Sequence, residues 1–384
     1  MMREIKESKV LKEQGYRFHD NLGSGGFGIV NSYWQRVTAD KHKIETLTTI
    51  KTLDPDSPEN AREYFFKEAK IALEQRYQHD GLVRGLTLVT DGDLYHLITD
   101  YITGSNFNDV IERDTFVEGV QLKRVKEYLE KIKYRDEKKA GEIKCMLENG
   151  RYTCLPIEFS SAVVYKIVDV LEFLHNPNIG IIHRDIKPSN IMISNDGKVY
   201  LIDFGVAKIG FEEDKLELDS KMTGTPAYAS PEQTRGKKTT PQSDLWSLGT
   251  TYYEALTGRN PFRSYTKGDD IDTILSRIIK GHFSSPRKFN KKIPYGVATI
   301  VKRLLGGKKI LGKFSLQHRY DGASELKYDL ERILGFDSGN VDKIIKDYVS
   351  SGTTFGTLGY NSDVEDGYFE YPNYKHPDIK LSNL

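Results

Sequence analysis

The chain has 384 residues, of which 38% are hydrophobic and 29% are charged, and its formal net charge is +1 at pH 7. This balance is typical of an ordinary soluble protein, gives no sign of a nucleic-acid-binding surface, and fits one large domain or two lobes. No run approaches the roughly 18 apolar residues that cross a membrane. The segment Met1–Glu7 lacks the apolar stretch of a signal peptide, so we expect no membrane span and a cytoplasmic location.

The first informative segment is glycine-rich and runs over Gly23–Val30. Glycine lets a backbone lie close over phosphates, where a side chain would clash, although such a segment is more often a plain turn. Further along, the alternation over Leu47–Leu53 predicts a buried strand that carries Lys51. Lys41 and Lys43 are the competing candidates for a functional lysine in this region, but they fall near the turn of the extended hairpin that precedes this strand.

A helix is predicted over about Pro58–Gln78, and it carries the acidic residues Glu63 and Glu68. An apolar strand is predicted next, over Tyr95–Ile102.

A long insertion then occupies about Arg113–Pro156, in which apolar residues recur at helical spacing, at Leu122, Val125, Leu129 and Ile132. An amphipathic helix packed on the body is the simpler interpretation, and a docking helix for a partner is the alternative. The Asn149-Gly150 dipeptide predicts a hairpin turn that sets Cys145 opposite Cys154. Either a redox-sensitive disulfide or two reduced thiols is compatible with this pattern.

Two motifs carry the chemistry. His183–Asn190 places Asp185, Lys187 and Asn190 on one short loop, and thirteen residues later Asp203-Phe204-Gly205 supplies another carboxylate. A phosphoryl transfer needs a proton acceptor, a cation near the phosphates, and oxygen ligands for a metal ion. These residue types at this spacing therefore predict phosphoryl-transfer chemistry.

The segment after these motifs contains Gly224–Tyr228 and Ser230–Glu232, followed by Ser243–Gly249 and, far along the chain, His318–Tyr320. Together with the earlier motifs, in this order, they resemble the protein kinases of the Ser/Thr type over about residues 16–334, and most nearly the bacterial kinases of eukaryotic type.

The resemblance implies an α+β, two-lobe protein-kinase fold, with a small antiparallel-sheet lobe and a mainly helical large lobe. It divides the chain into an N-terminal extension (1–15), the small lobe (16–102), the large lobe (103–336, with the insertion at about 113–156) and a C-terminal tail (337–384). In that tail, Val341–Val349 is predicted to form one short helix, and the Tyr-rich remainder either docks on the body or binds a partner.

The resemblance also implies catalytic roles. Asp185 would orient the substrate hydroxyl and accept its proton, and Lys187 would neutralise charge on the γ-phosphate. Lys51, paired with Glu68 or, as the alternative, with Glu63, would bind the α- and β-phosphates. His183 would pack beneath Phe204 in a structural role.

ATP and Mg²⁺ are the implied cosubstrate and cofactor, with Asn190 and Asp203 holding the metal. The residues implied to bind ATP are Gly23, Gly25, Gly28, Val30, Lys51, Thr99, Asp100, Tyr101, Ile102 and Met192. Thr99 would be the gatekeeper, and Asp100–Ile102 the hinge that bonds the adenine edge. Thr49 departs from the alanine that the family usually has above the adenine.

Structural partners follow from the resemblance as well. Glu232 would pair with Arg319, and Asp244 would cap the backbone of the catalytic loop. Arg184 would need an anionic partner, which a phosphate on Thr223 or Ser220 supplies. The alternative is that Glu217 and Asp219 already provide that charge.

Protein substrates are the implied partners, and a transient homodimer is compatible with autophosphorylation. The rival functions are a nucleotide-binding scaffold without transfer activity and a small-molecule kinase. The presence of Lys51, Asp185, Asn190 and Asp203 argues against the scaffold, and the peptide-platform character of Thr223–Glu232 argues against a small-molecule substrate.

Overall fold

The computed structural model describes residues 8–25, 28–39, 42–53, 57, 59–74, 79–114, 155–210, 226–264, 269–306, 309–310, 313–314 and 319–350. The predicted insertion helix, the Cys145–Cys154 hairpin and the candidate phosphosites Thr223 and Ser220 lie outside these residues, so those predictions stay open.

The N-terminal part of the chain forms a five-stranded antiparallel sheet, as predicted. Its strands are β1 (Tyr16–Gly25), β2 (Gly28–Ala39), β3 (His42–Leu53), β4 (Gly85–Asp91) and β5 (Leu94–Asp100). They lie in the order β1-β2-β3-β5-β4, so that β3 is central and bonded to both β2 and β5. A short helix α1 (Lys9–Glu13) precedes the sheet, and helix α2 (Glu59–Glu74) connects β3 to β4.

Successive strand residues point to opposite sides of the sheet, and apolar side chains are buried on both sides. On one face, Ile50 and Ile98 belong to a cluster with Leu11 of α1. On the other face, Leu53 and Leu97 pack on α2, whose Ala61, Phe65 and Ala69 recur at helical spacing. Helix α1 therefore belongs to the packed small lobe, although the boundary predicted at residue 15 placed it in an extension.

The large lobe begins with β6 (Gly104–Asn106) and α3 (Phe107–Asp114) and continues with α4 (Ile157–Leu174) and β7 (Ile181–Ile182). A single 3-10 turn (Pro188–Asn190) then leads into β8 (Ile191–Ser194), β9 (Val199–Leu201) and β10 (Lys208–Ile209). Strands β6, β8 and β9 form a small sheet, and β7 pairs with β10.

The rest of the large lobe is mainly helical. Its elements are short 3-10 turns at Pro226–Tyr228, Gln233–Arg235 and Pro286–Lys288, the strand pair β11 (Lys309–Ile310) and β12 (Lys313–Phe314), and the helices α5 (Pro241–Thr257), α6 (Ile271–Lys280), α7 (Tyr295–Leu304), α8 (Ala323–Leu334) and α9 (Ser338–Ser350). Helix α9 confirms the helix predicted at Val341–Val349 and is longer at its N-terminal end.

Two apolar helices make the centre of the large lobe. Helix α4 is buried on nearly all sides, which is typical of a helix inside a core rather than on a surface. Helix α5 begins with a capping box formed by Thr240 and Ser243, has Pro241 in its first turn, and ends at Gly258, whose φ of +66° suits glycine. These two helices are the rigid support on which the loop between β7 and β8 rests. None of the helices in the described ranges is long and apolar enough to cross a membrane.

Candidate active site

The register of the small-lobe sheet aims Lys51 at helix α2. Lys51 pairs with Leu97 of β5, and Leu97 packs on the α2 face. Cross-strand partners point to the same side of a sheet, so the Lys51 side chain lies on that side too. Its Nζ is 2.6 Å from Oε2 of Glu68. The structure thus pairs Lys51 with Glu68, whereas Glu63 is exposed on the outer face of α2.

Lys51 also joins the two lobes, because its Nζ lies 3.2 Å from Oδ1 of Asp203. Burial alone would lower the pKa of Lys51, but the carboxylates of Glu68 and Asp203 outweigh burial and raise that pKa. Burial would likewise raise the pKa of Asp203, yet the Lys51 ammonium outweighs it and lowers the pKa. Both groups are therefore charged at neutral pH, which suits a cation for phosphates and a carboxylate for a metal ion.

The loop between β7 and β8 gathers the other predicted catalytic residues. Lys187 Nζ donates to Oδ2 of Asp185 at 2.7 Å. The Asn190 side-chain nitrogen donates to the same Oδ2 at 2.9 Å and to the Asp185 carbonyl at 2.8 Å. Burial raises the pKa of Asp185, and Lys187 offsets part of that effect. A carboxylate held in this way is an oriented proton acceptor.

Two residues of the site have backbone conformations that non-glycine residues rarely adopt. The φ angle is +68° at Arg184 and +66° at Asp203, and such conformations cost roughly 1–3 kcal/mol each and persist only where the surroundings impose them. Asp244 imposes the first, because its carboxylate accepts from the backbone N–H groups of His183 and Arg184, both at 2.8 Å. This confirms the predicted capping of the catalytic loop from helix α5.

His183 connects the two halves of the site. Its ring contacts the ring of Phe204 edge-on, with centroids 4.7 Å apart, as predicted. Its Nε2 donates to the Ile202 carbonyl at 3.1 Å, because a carbonyl can only accept. Its Nδ1 then accepts from the N–H of Asp185 at 3.3 Å. One imidazole thus fixes the distance between the loop of Asp185 and the strand that leads to Asp203.

Several predicted nucleotide-binding residues lie on β2, β3, β5 and β8. Thr49 pairs with Thr99, two positions from the Lys51–Leu97 pair, so both threonines lie on the same face of the sheet as Lys51. Val30 pairs with Lys51 and Gly23, and Met192 lies in β8 opposite Tyr200.

Further predicted nucleotide-binding residues lie at the end of β1, at the start of β2 and at the end of β5. At Gly28, with φ +141°, a side chain would collide with the Thr52 carbonyl, so glycine is required there. Gly23 has φ +154° and open space beside it. Strand β5 ends at Asp100, whose carboxylate binds Arg84 at 2.7 and 2.8 Å; Tyr101 and Ile102 follow outside the strand.

The donor set suits a hard cation. The Asn190 amide uses its nitrogen for Asp185, which leaves its oxygen available as a ligand. The carboxylate of Asp203 is the second oxygen donor. Mg²⁺ is commonly bound by one or two carboxylates together with substrate phosphates, so the residues present fit a Mg²⁺–nucleotide complex.

Two contacts of the catalytic loop had no signal in the sequence. His175 binds Oδ2 of Asp244 through Nε2 at 2.8 Å, and the Arg184 Nε donates to the Thr239 hydroxyl at 2.9 Å.

The predicted Glu232–Arg319 pair is confirmed, with two bonds of 2.9 and 3.1 Å in a buried site. The segment predicted to face Arg184, with Thr223, Ser220, Glu217 and Asp219, lies outside the described residues.

Comparison with known proteins agrees with this geometry. The model of the protein kinase domain matches residues 16–310, and the chain therefore belongs to the protein kinase family. Within that family it is similar to serine/threonine kinases of bacteria. It is 26% identical to a probable serine/threonine-protein kinase of Clostridium perfringens over 327 residues, which are 85% of this chain and 39% of the relative.

Two further relatives extend the comparison. The serine/threonine-protein kinase PknB of Mycobacterium leprae is 31% identical over 338 residues, 86% of this chain and 45% of that protein. Human 3-phosphoinositide-dependent protein kinase 1 is 40% identical over 127 residues, 33% of this chain and 22% of that protein. The matched part of the chain thus spans less than half the length of each of these curated relatives.

Proposed function

We propose that the chain is an ATP- and Mg²⁺-dependent serine/threonine protein kinase that transfers the γ-phosphate of ATP to protein hydroxyl groups. The observation that carries the proposal is the assembled ionic set of the cleft. Lys51 bridges Glu68 and Asp203 at 2.6 and 3.2 Å, and Asp185 is held by Lys187 at 2.7 Å. This set places the lysines and carboxylates that phosphoryl transfer needs close together.

Asp185 is the proposed proton acceptor. Lys187 and Asn190 both donate to its Oδ2, so we assign Oδ1 to the substrate hydroxyl. As the hydroxyl oxygen bonds to the γ-phosphorus and the bond to the bridging oxygen breaks, the proton passes to Oδ1 and ADP leaves. Positioned proton transfer of this kind contributes about 10²–10⁴-fold to rate.

The other residues bind the nucleotide and the metal ion and neutralise the charge of the phosphates. Lys51, fixed by Glu68, would bind the α- and β-phosphates, and Lys187 would neutralise charge on the transferring group. Mg²⁺ held by Asp203 and Asn190 would neutralise the charge that develops on the phosphates. The hinge Asp100–Ile102 would bond the adenine edge.

The scaffold alternative is not favoured, since its usual signature is the loss of one of these residues, and Lys51, Asp185, Asn190 and Asp203 are all present. A serine or threonine of another protein is the proposed acceptor, and the cytoplasmic location and the transient homodimer stay predictions.

The test is transfer of labelled phosphate to a generic protein substrate by the full chain with Mg²⁺ and ATP. Asp185→Asn should lower kcat by about 10²–10⁴-fold while nucleotide binding stays unchanged. Asp93→Asn, in the exposed turn between β4 and β5, is the matched control and should leave the rate unchanged. Equal rates for wild type and Asp185→Asn would rule out the proposed role. Nucleotide binding without any transfer by the wild type would favour the scaffold.

A further inference from the structure

Helix α9 lies beyond residue 310, where the match to the kinase domain ends, yet it is part of the core of the large lobe. The ring of its Tyr348 stacks on Phe159 of α4, with centroids 3.6 Å apart and planes 17° apart. Near its other end, Asp342 binds Lys166 of α4 at 2.6 Å. Between these contacts it buries three apolar residues, Val341, Ile345 and Val349. Helix α9 is therefore anchored on α4 along its length.

The same helix touches the turn between β8 and β9. Gly197 in that turn has φ +82°, and a Cβ placed on it would lie 2.6 Å from Cγ, 3.1 Å from Cα and 3.2 Å from the backbone nitrogen of Lys346. Real Cβ atoms do not come within 2.6 Å of another atom, and the two backbone atoms of Lys346 are also closer than an ordinary contact. The turn therefore lies directly against the backbone of α9. Since α9 is anchored on α4, it has little freedom to move away from this turn.

The opposite side of the turn contacts the segment that follows the hinge. The N–H of Asn195 donates to the Thr103 carbonyl at 2.8 Å, and Gly104 pairs with Ser194 so closely that a side chain at 104 would collide with the Ile193 carbonyl. The turn is thus packed between α9 on one side and the residues next to Asp100–Ile102 on the other.

The strands of this turn also carry parts of the site. Strand β8 begins after Asn190 and contains Met192, and β9 ends two residues before Asp203. A displacement of the turn would therefore reach the hinge Asp100–Ile102, Met192, and the two proposed metal ligands Asn190 and Asp203.

We propose that α9 is a positioning element of the nucleotide site, which it controls through the contact of Lys346 with Gly197. The inference rests on the proposed function, because the ligand is the ATP of that proposal. It assigns a role in nucleotide affinity to a helix that the family model does not include.

The test compares two glycine substitutions in the full chain. Gly197→Ala pushes a methyl group into α9, whereas Gly92→Ala, in the turn between β4 and β5, has φ +60° and nothing within 4 Å of its new Cβ. Both carry the strain of a left-handed alanine, so only the contact with α9 differs. Binding of a fluorescent ATP analogue with Mg²⁺ should weaken about 3- to 10-fold in Gly197→Ala and by less than about twofold in Gly92→Ala.

Two further variants keep the inference testable if Gly197→Ala does not fold. Lys166→Glu breaks the anchor of α9 at a partly exposed site and should also weaken analogue binding. Adding Asp342→Lys restores the ion pair with reversed charges and should recover the affinity.

The outcomes separate the two proposals. Equal affinity in Gly197→Ala, Gly92→Ala and Lys166→Glu, with wild-type binding intact, would overturn the role of α9 and leave the proposed function standing. A wild-type chain that does not bind the analogue would overturn both.

Discussion

Removing one partner of the buried pair of Glu232 and Arg319 should strongly destabilise the large lobe. The guanidinium makes two bonds to the carboxylate, and Ser243 donates a third at 2.7 Å. The side chains are only 7% and 2% exposed. Arg319→Met keeps the packing of an unbranched chain against Trp246, which Arg319 covers at 4.6 Å, but it leaves Glu232 buried without its cation. Breaking such a pair from one side costs about 3–5 kcal/mol.

The assay is urea unfolding followed by tryptophan fluorescence in a Trp34→Phe background, so that Trp246 alone reports on the large lobe. Arg36→Met is the matched control, because Arg36 binds Glu45 at 3.0 Å with both side chains largely exposed, and such a pair is worth about 0–1 kcal/mol. A loss below about 1 kcal/mol in Arg319→Met, equal to that of the control, would refute the reasoning.

The sign of the pH dependence follows from the pKa of Glu232. Burial would raise that pKa, but the bonds from Arg319 and Ser243 outweigh burial and lower it. A carboxyl group whose pKa is lowered on folding contributes stability above its unfolded pKa, and that contribution is lost as the pH falls through the folded value. The difference in stability between wild type and Arg319→Met should therefore shrink on acidification. A difference independent of pH would contradict this account of the pair.

Two further predictions concern the catalytic loop. Because burial raises the pKa of Asp185 above its ordinary 3.8, the base should become protonated as the pH falls, and the acid limb of a kcat–pH profile should lie above that value; a limb below it would contradict the assignment. Asp244→Asn places an amide where the carboxylate accepts from His183, Arg184 and His175, and it should destabilise the chain by about 1–3 kcal/mol or more in urea unfolding while lowering kcat. Unchanged kcat would show that the cap does not position the loop.

The contacts that the sequence predicted came from motifs that resemble those of the protein kinases. That resemblance implied the pairing of Lys51 with Glu68, and the structure adds its physical basis, because Glu68 lies three residues after Phe65, which is buried against the sheet. The resemblance also implied the capping role of Asp244, which the structure places in the first turn of helix α5.

The contacts that the sequence did not predict join residues far apart in the chain without a shared period. His175 and Asp244 are 69 positions apart, and Ser8 and Asp91, bonded at 2.6 Å, are 83 positions apart. Helix α1 has five residues, too few to be stable alone in water, so its existence depends on the small-lobe cluster that receives Leu11. Packing of this kind is a property of the folded chain and leaves no local pattern.

Transfer between two copies of the chain tests the central claim most directly. A tagged Lys51→Met chain, which should lack activity of its own, is incubated with wild type, Mg²⁺ and ATP, and its phosphosites are mapped by mass spectrometry. Lys9→Met, at an exposed position of α1, is the matched control that should keep activity. The account predicts phosphate on serine or threonine of the tagged chain only when wild type is present. No phosphate on that chain, on the wild type itself or on a generic protein substrate, although the wild type binds ATP, would contradict it.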